Sequence, residues 1–264
     1  MMSRRKILCL IGAGAAVGFS PTVPARTRQQ WRQLEPVLEL LGDAEPTPKG
    51  LKMELPPVSE NSSAIPLTVS VDSAMTAEEH VESIHLFANR NPNPTIAAFR
   101  LTPLTGQARI STRIRLSESQ TVVAVARTNH GQYRVTTRDC RVAGSGCLMR
   151  NDNHDPRDDM QFRIRVPETV TRGEDAEVLT LIMHPMETGF REDETGRRIP
   201  RLIVHSFTAH LDAAPVLEAA FNSAISANPY LRFHLRPPHS GTLEMQWEDD
   251  LGRTAKARAA VRVS

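Results

Sequence analysis

Ile65-Pro66-Leu67-Thr68-Val69-Ser70-Val71 sets Leu67, Val69 and Val71 two positions apart, with Thr68 and Ser70 between them. Successive side chains of a β-strand point to opposite faces, so this stretch reads as a strand with one apolar and one polar side. The same period runs outward in both directions. Leu51, Met53 and Leu55 alternate ahead of it; Ile110, Thr112, Ile114 and Leu116 alternate after it. Val122 to Ala126 is continuously apolar, as befits an inner strand. Pro56-Pro57, Asn91-Pro92-Asn93-Pro94 and Thr105-Gly106 fall between these runs as turns. Further on, the alternation resumes at Phe162, Ile164, Val166, then in the run Val178 to Met183, then at Phe207, Ala209, Leu211. Leu231, Phe233, Leu235 and Leu243, Met245, Trp247 complete it, with Gly196-Arg197 and Asp250-Leu251-Gly252 as hairpin turns.

Composition supports this reading. Of 264 residues, 40% are hydrophobic, 23% charged and 5% aromatic, an ordinary soluble balance that is too apolar for disorder. Nineteen prolines weigh against long helices and suit strand edges and turns. The formal charge is +2, but residues 1–25 contribute Arg4, Arg5 and Lys6 and no acid, which leaves the remainder at −1. Such a balance excludes nucleic-acid binding through a global basic field. Residues 1–25 pair a basic start with a small-residue apolar run and end in Val23-Pro24-Ala25, the pattern of a secretory signal peptide. Its Arg4-Arg5 pair is of the twin-arginine type, and the apolar run is short of the ~20 residues a membrane span needs. Export to an oxidising periplasm is therefore expected, with no span in the mature chain. Residues 26–42 place Trp31, Leu34, Leu38 and Leu41 at helical spacing, although Pro36 interrupts a helix there. The expected organisation is a signal peptide at 1–25, a short helix and turn at 26–49, one sandwich at 50–149, a polar linker at 150–160 and a second sandwich at 161–264. The fold class is all-β, with two immunoglobulin-like β-sandwich domains and a short N-terminal helix.

Several blocks resemble a known pair of families. Ile65 to Ser73, Ser83-Ile84-His85-Leu86-Phe87-Ala88, Ala108 to Leu116 and Thr121 to Ala126 are similar to the sulfur-oxidation subunit SoxY. Thr180 to Phe190, Ile199-Pro200-Arg201, Ser226-Ala227-Asn228-Pro229-Tyr230 and Ser240-Gly241-Thr242 resemble its partner SoxZ. The chain looks like the two joined end to end. The resemblance implies two docked sandwiches that are not themselves an enzyme, with a sulfur intermediate held covalently on a cysteine of the SoxY arm. It implies periplasmic sulfur-oxidising enzymes and c-type cytochromes as partners. A fused chain also resembles accessories of periplasmic quinoprotein dehydrogenases, which would not shuttle sulfur. The family's glycine-rich tail is replaced here by Val135 to Cys147, followed by the linker.

Two cysteines therefore compete. Cys140 stands at the carrier position by register, and Arg138 and Arg141 beside it would favour the reactive thiolate and pair with a sulfonate. Cys147 stands in Gly144-Ser145-Gly146-Cys147, the context closer to the family tail, as the alternative carrier or a resolving thiol. The two could instead form a structural disulfide. A zinc site from His130, Cys140, Cys147 and His154 has ligand gaps of nine, six and six intervening residues, too wide for the usual close pairs. Met183-His184-Pro185-Met186 invites copper, but Met183 continues an apolar run and reads as core. Glu78-Glu79 and Asp249-Asp250 read as solvated turns. The sequence shows no Ser-His-Asp order, phosphate loop or haem-attachment pair, so no cofactor or metal is expected.

Overall fold

The computed structural model describes residues 27–143 and 160–264. The signal segment, Cys147, His154 and the linker residues 150–159 lie outside them. Among the described residues sixteen strands follow one another: β1 (Leu51–Glu54), β2 (Val58–Ser59), β3 (Ile65–Val71), β4 (Val81–Ala88), β5 (Thr95–Leu101), β6 (Ala108–Ile114), β7 (Gln120–Thr128), β8 (Tyr133–Val142), then β9 (Phe162–Arg165), β10 (Thr169–Val170), β11 (Ala176–Ile182), β12 (Val204–Leu211), β13 (Ala214–Phe221), β14 (Tyr230–Leu235), β15 (Gly241–Asp249) and β16 (Thr254–Val263). The all-β, two-sandwich class expected from the period is what the chain adopts.

The strands form two layers. One sheet runs β1-β3-β6-β14-β11-β9, the other β10-β16-β15-β12-β13-β5-β4-β7-β8-β2. Replacing each strand number n in the first half by n + 8 reproduces the second half, so the molecule is a pseudo-two-fold duplication. The halves meet edge to edge in both layers. β13 pairs antiparallel with β5 from Leu217↔Leu101 to Phe221↔Ala97, and β14 pairs antiparallel with β6 at Leu231↔Thr112 and Arg232↔Ser111. The two sandwiches consequently share one continuous core, from Leu51 and Ile65 in the first half to Trp247 and Val261 in the second.

Alternation explains the strand burial. β3 and β11 share one pattern, buried at every odd position, which is the period that Ile65–Val71 announced. Pro66 costs no ladder bond on its free side because β1 ends at the pair Glu54↔Thr68, short of it. β7 is buried on both faces for a separate reason. The N-terminal segment packs Trp31, Leu34, Val37 and Leu41 over Phe87, Val123, Val125 and Val135 on the outer side of the long sheet.

That segment departs from the single helix expected over 26–42. It is a 3₁₀ stretch, Thr27–Gln33, followed by a short α-helix, α1 (Glu35–Leu41), with Pro36 in its first turn. The break changes the angular spacing, so Val37 faces inward, whereas Leu38 is 45% exposed. Among the described residues no helix is long and apolar enough to cross a membrane.

Candidate functional site

Cys140 lies on β8 opposite Gln120. It is a free thiol, 1% exposed, and belongs to the core between the sheets. Burial pushes its pKa up, away from the reactive thiolate. The help expected from the neighbouring arginines does not reach it. Arg141 points to the other face of the strand by alternation and is exposed. Arg138 shares the face of Cys140, but its guanidinium runs out to solvent and donates to the Thr137 carbonyl at 2.8 Å. Asp139 accepts from Thr121 Oγ1 at 2.5 Å, a hydroxyl also within reach of the Gln30 amide oxygen. The sequence-based picture of an accessible Cys140 activated by flanking charge is therefore corrected. A cysteine at the inward position of a strand behaves as a small core residue.

The stretch between the halves leaves β8 at Ala143 and returns at Met160, and both feet are fastened. Arg141 N–H donates to the Pro57 carbonyl at 2.9 Å, Val142 N–H to Ser119 Oγ at 3.0 Å and Ala143 N–H to the Ser59 carbonyl at 3.1 Å. On the other side Met160 N–H donates to the Met183 carbonyl at 2.8 Å, and Met183 N–H to the Gln161 carbonyl at 2.7 Å. The strand order puts both feet at one end of the molecule. There the end of β8 pairs with the start of β7, and the end of β6 meets the start of β14. The start of β14 in turn lies beside the end of β11 and the start of β9.

Polar groups lock this end. Arg115, 1% exposed, reaches across the halves and donates through Nη1 to the Met186 carbonyl at 2.7 Å and through Nη2 to that of Pro185 at 3.4 Å. Its own carbonyl accepts from Asn91 Nδ2 at 3.0 Å, while Asn91 Oδ1 accepts from Gln120 Nε2 at 2.9 Å. Arg115 falls between Ile114 and Leu116, at the outward position of that alternation, so nothing in the sequence pattern marks it as buried. His184 is wholly buried; its Nδ1 accepts from Met186 N–H at 3.0 Å and its Nε2 stands 3.5 Å from Asp249 Oδ2. Asp249 is 1% exposed, not the solvated turn residue expected. Burial alone would push its carboxyl up, but the Arg253 side chain at 2.6 Å and the Arg253 and Leu251 backbone N–H groups outweigh this and hold it below the ordinary range.

The metal readings meet the same geometry. Met186 Sδ accepts from Val204 N–H at 3.2 Å, and Met186 and His184 are fully buried, so their donor atoms serve the packing of the loop after β11. Met183 is half-buried just past β11. His130 occupies the β7–β8 turn, whereas Cys140 pairs at the far end of that hairpin, about 24 Å away along the ladder. His130 and Cys140 therefore cannot hold one zinc ion between them, while Cys147 and His154 lie outside the described residues. Among the described residues no group of three or more His, Cys, Asp or Glu side chains is placed to hold a metal ion.

Residues 37–147 match the family of the sulfur oxidation protein SoxY, and residues 164–260 that of the sulphur oxidation protein SoxZ. Comparison with curated proteins gives no match. Among solved structures, the sulfur carrier protein SoxY from Chlorobium limicola f thiosulfatophilum aligns at 21% identity and a TM-score of 0.35, over 41% of this chain and 94% of that one. A superoxide reductase (neelaredoxin) from Ignicoccus hospitalis aligns at 18% identity and a TM-score of 0.33, over 35% of this chain and 80% of its own. These distant likenesses carry no functional argument. The family matches do: they divide between β8 and β9, where the duplication itself divides. The chain is a fused SoxYZ-like protein, with one SoxY domain and one SoxZ domain in a single polypeptide.

Proposed function

We propose that this protein is a non-enzymatic periplasmic carrier that holds a sulfur intermediate covalently on Cys147 and presents it to sulfur-oxidising enzymes and c-type cytochromes. One observation carries the choice of residue: Cys140 is shut inside the core. That leaves Cys147, where the SoxY match ends and which Gly144, Ser145 and Gly146 precede. Small side chains beside a thiol leave it open to attack and to transfer. The Arg4-Arg5 segment supports export, and the families are those of sulfur oxidation.

Tetrathionate tests this without any partner enzyme. The Cys147 thiolate attacks a central sulfur of tetrathionate; a new S–S bond joins the cysteine to a thiosulfate unit, the central S–S bond breaks, and thiosulfate leaves with its electron pair. Intact-mass measurement is expected to show one thiosulfonate group on the native protein and on the Cys140→Ser variant, and none on Cys147→Ser. An adduct that follows Cys140, or none on any form, overturns the assignment. A second reading, an accessory of a quinoprotein dehydrogenase, is favoured by the fastening of the arm at both Ala143 and Met160, which restricts its reach. It predicts no loading by tetrathionate and direct binding to the purified dehydrogenase.

A further inference from the structure

The outer face of the six-stranded sheet crosses from the SoxZ domain to the SoxY domain without a break. Residues opposite one another in an antiparallel ladder point to the same face. Arg163 on β9 stands opposite Leu181 on β11, which stands opposite Tyr230 on β14. Beside Tyr230 comes Arg113 of β6, with its guanidinium carbon 5.2 Å from the tyrosine ring centre, and opposite Arg113 comes Pro66 of β3. One row along, Arg165 faces Leu179, then Arg232, then Ser111. Where β1 stops short, Glu54, Leu55, Pro56, Pro66 and Thr68 line an open hollow of about 350 Å³ that continues the face.

Its charges are unbalanced. Arg232 is paired with Glu177 at 3.4 Å and Arg109 with Glu54 at 3.1 Å, which neutralises them. Arg113, Arg163 and Arg165 are exposed and make no ion pair among the described residues. Between them Leu179, Leu181 and Tyr230 are half-buried, with none of the described elements packed over them. An apolar centre with tyrosine, rimmed by arginine, has the composition of a protein-binding patch. The paired carboxylates Glu177 and Glu54 on the same face would repel a phosphate backbone or an anionic lipid surface, which require a continuous basic field.

We infer that this face docks a partner protein that presents carboxylates around an apolar side chain: the carboxylates meet Arg113, Arg163 and Arg165, and the apolar group enters the hollow beside Pro66. Arg163 lies three residues after Met160, so a partner seated here stands beside one foot of the arm. The inference rests on described residues alone and holds whichever cysteine carries cargo.

The probe is a synthetic peptide of glutamates alternating with leucine and phenylalanine, titrated into the isotope-labelled protein. Shift changes are expected over β9, β11, β14 and β6, and raising salt from about 0.05 to about 0.5 M should abolish most of the binding. Arg113→Glu, Arg163→Glu and Arg165→Glu together should weaken it by about tenfold or more, while Arg100→Glu and Arg258→Glu, on the other sheet, leave it unchanged. Binding that any arginine reversal weakens equally, shifts that map elsewhere, or tighter binding to duplex DNA or to vesicles of anionic lipid would each overturn the proposal.

Discussion

At the level of single residues, the decisive finding is the direction in which Cys140 points. Neighbouring charge was legible in Arg138-Asp139-Cys140-Arg141, but strand phase decides whether charge reaches a side chain, and the inward phase takes Cys140 out of solvent. A thiol whose pKa is raised on folding leaves stability untouched below the unfolded value of about 8.5. Above it the unfolded chain loses its proton first, and stability falls until the folded thiol also titrates. The stability gap between the native protein and Cys140→Ala should therefore narrow as pH rises from 7 to about 10, read from denaturant midpoints. A gap that stays constant would mean that the thiol is not desolvated. Arg115 and Asp249 were illegible for a related reason: Arg115 falls at an outward position of the Ile110–Leu116 alternation and Asp249 in a stretch that reads as turn, and only the meeting of distant loops buries them.

At the level of elements, periodicity was an accurate guide to the strands it covered. It located β1, β3, β6, β11, β12, β14 and β15 by their alternation, and the Val122–Ala126 run sits in a strand covered on both sides. It misread the N-terminal segment, since the 3₁₀ stretch shifts the helical phase by one position and exchanges Leu38 for Val37. Side-chain truncation separates the two phases. Trp31→Ala or Val37→Ala should destabilise the protein by about 2–5 kcal/mol, because each leaves a cavity over Phe87 and Val125. Leu38→Ala should change stability by less than about 0.5 kcal/mol. Equal losses at Val37 and Leu38 in thermal or denaturant unfolding would refute this packing.

For the whole molecule, the two domains were visible in the order of the motifs, but their union into two shared sheets was not, because strand pairing across the duplication leaves no local signature. The junction is main-chain pairing in both layers, reinforced by Arg115 on Met186 and by Arg236 with Asp175, whose carboxylate also accepts from Gln107 of the other half at 2.9 Å. Cleavage at an engineered protease site between residues 150 and 159 should leave the halves associated through gel filtration, and the uncut chain should unfold in one transition. Two separate transitions would show that the domains stand alone.

The edge-to-edge junction also bears on how the protein can be made. Without its neighbour, each sandwich would display raw margins at β5 and β6, or at β13 and β14, with backbone donors and acceptors open to any passing strand. A cell that synthesised one half in excess would accumulate sticky, insoluble material. Encoding both halves in a single message supplies every such margin with its cover in equal number, at the moment of synthesis.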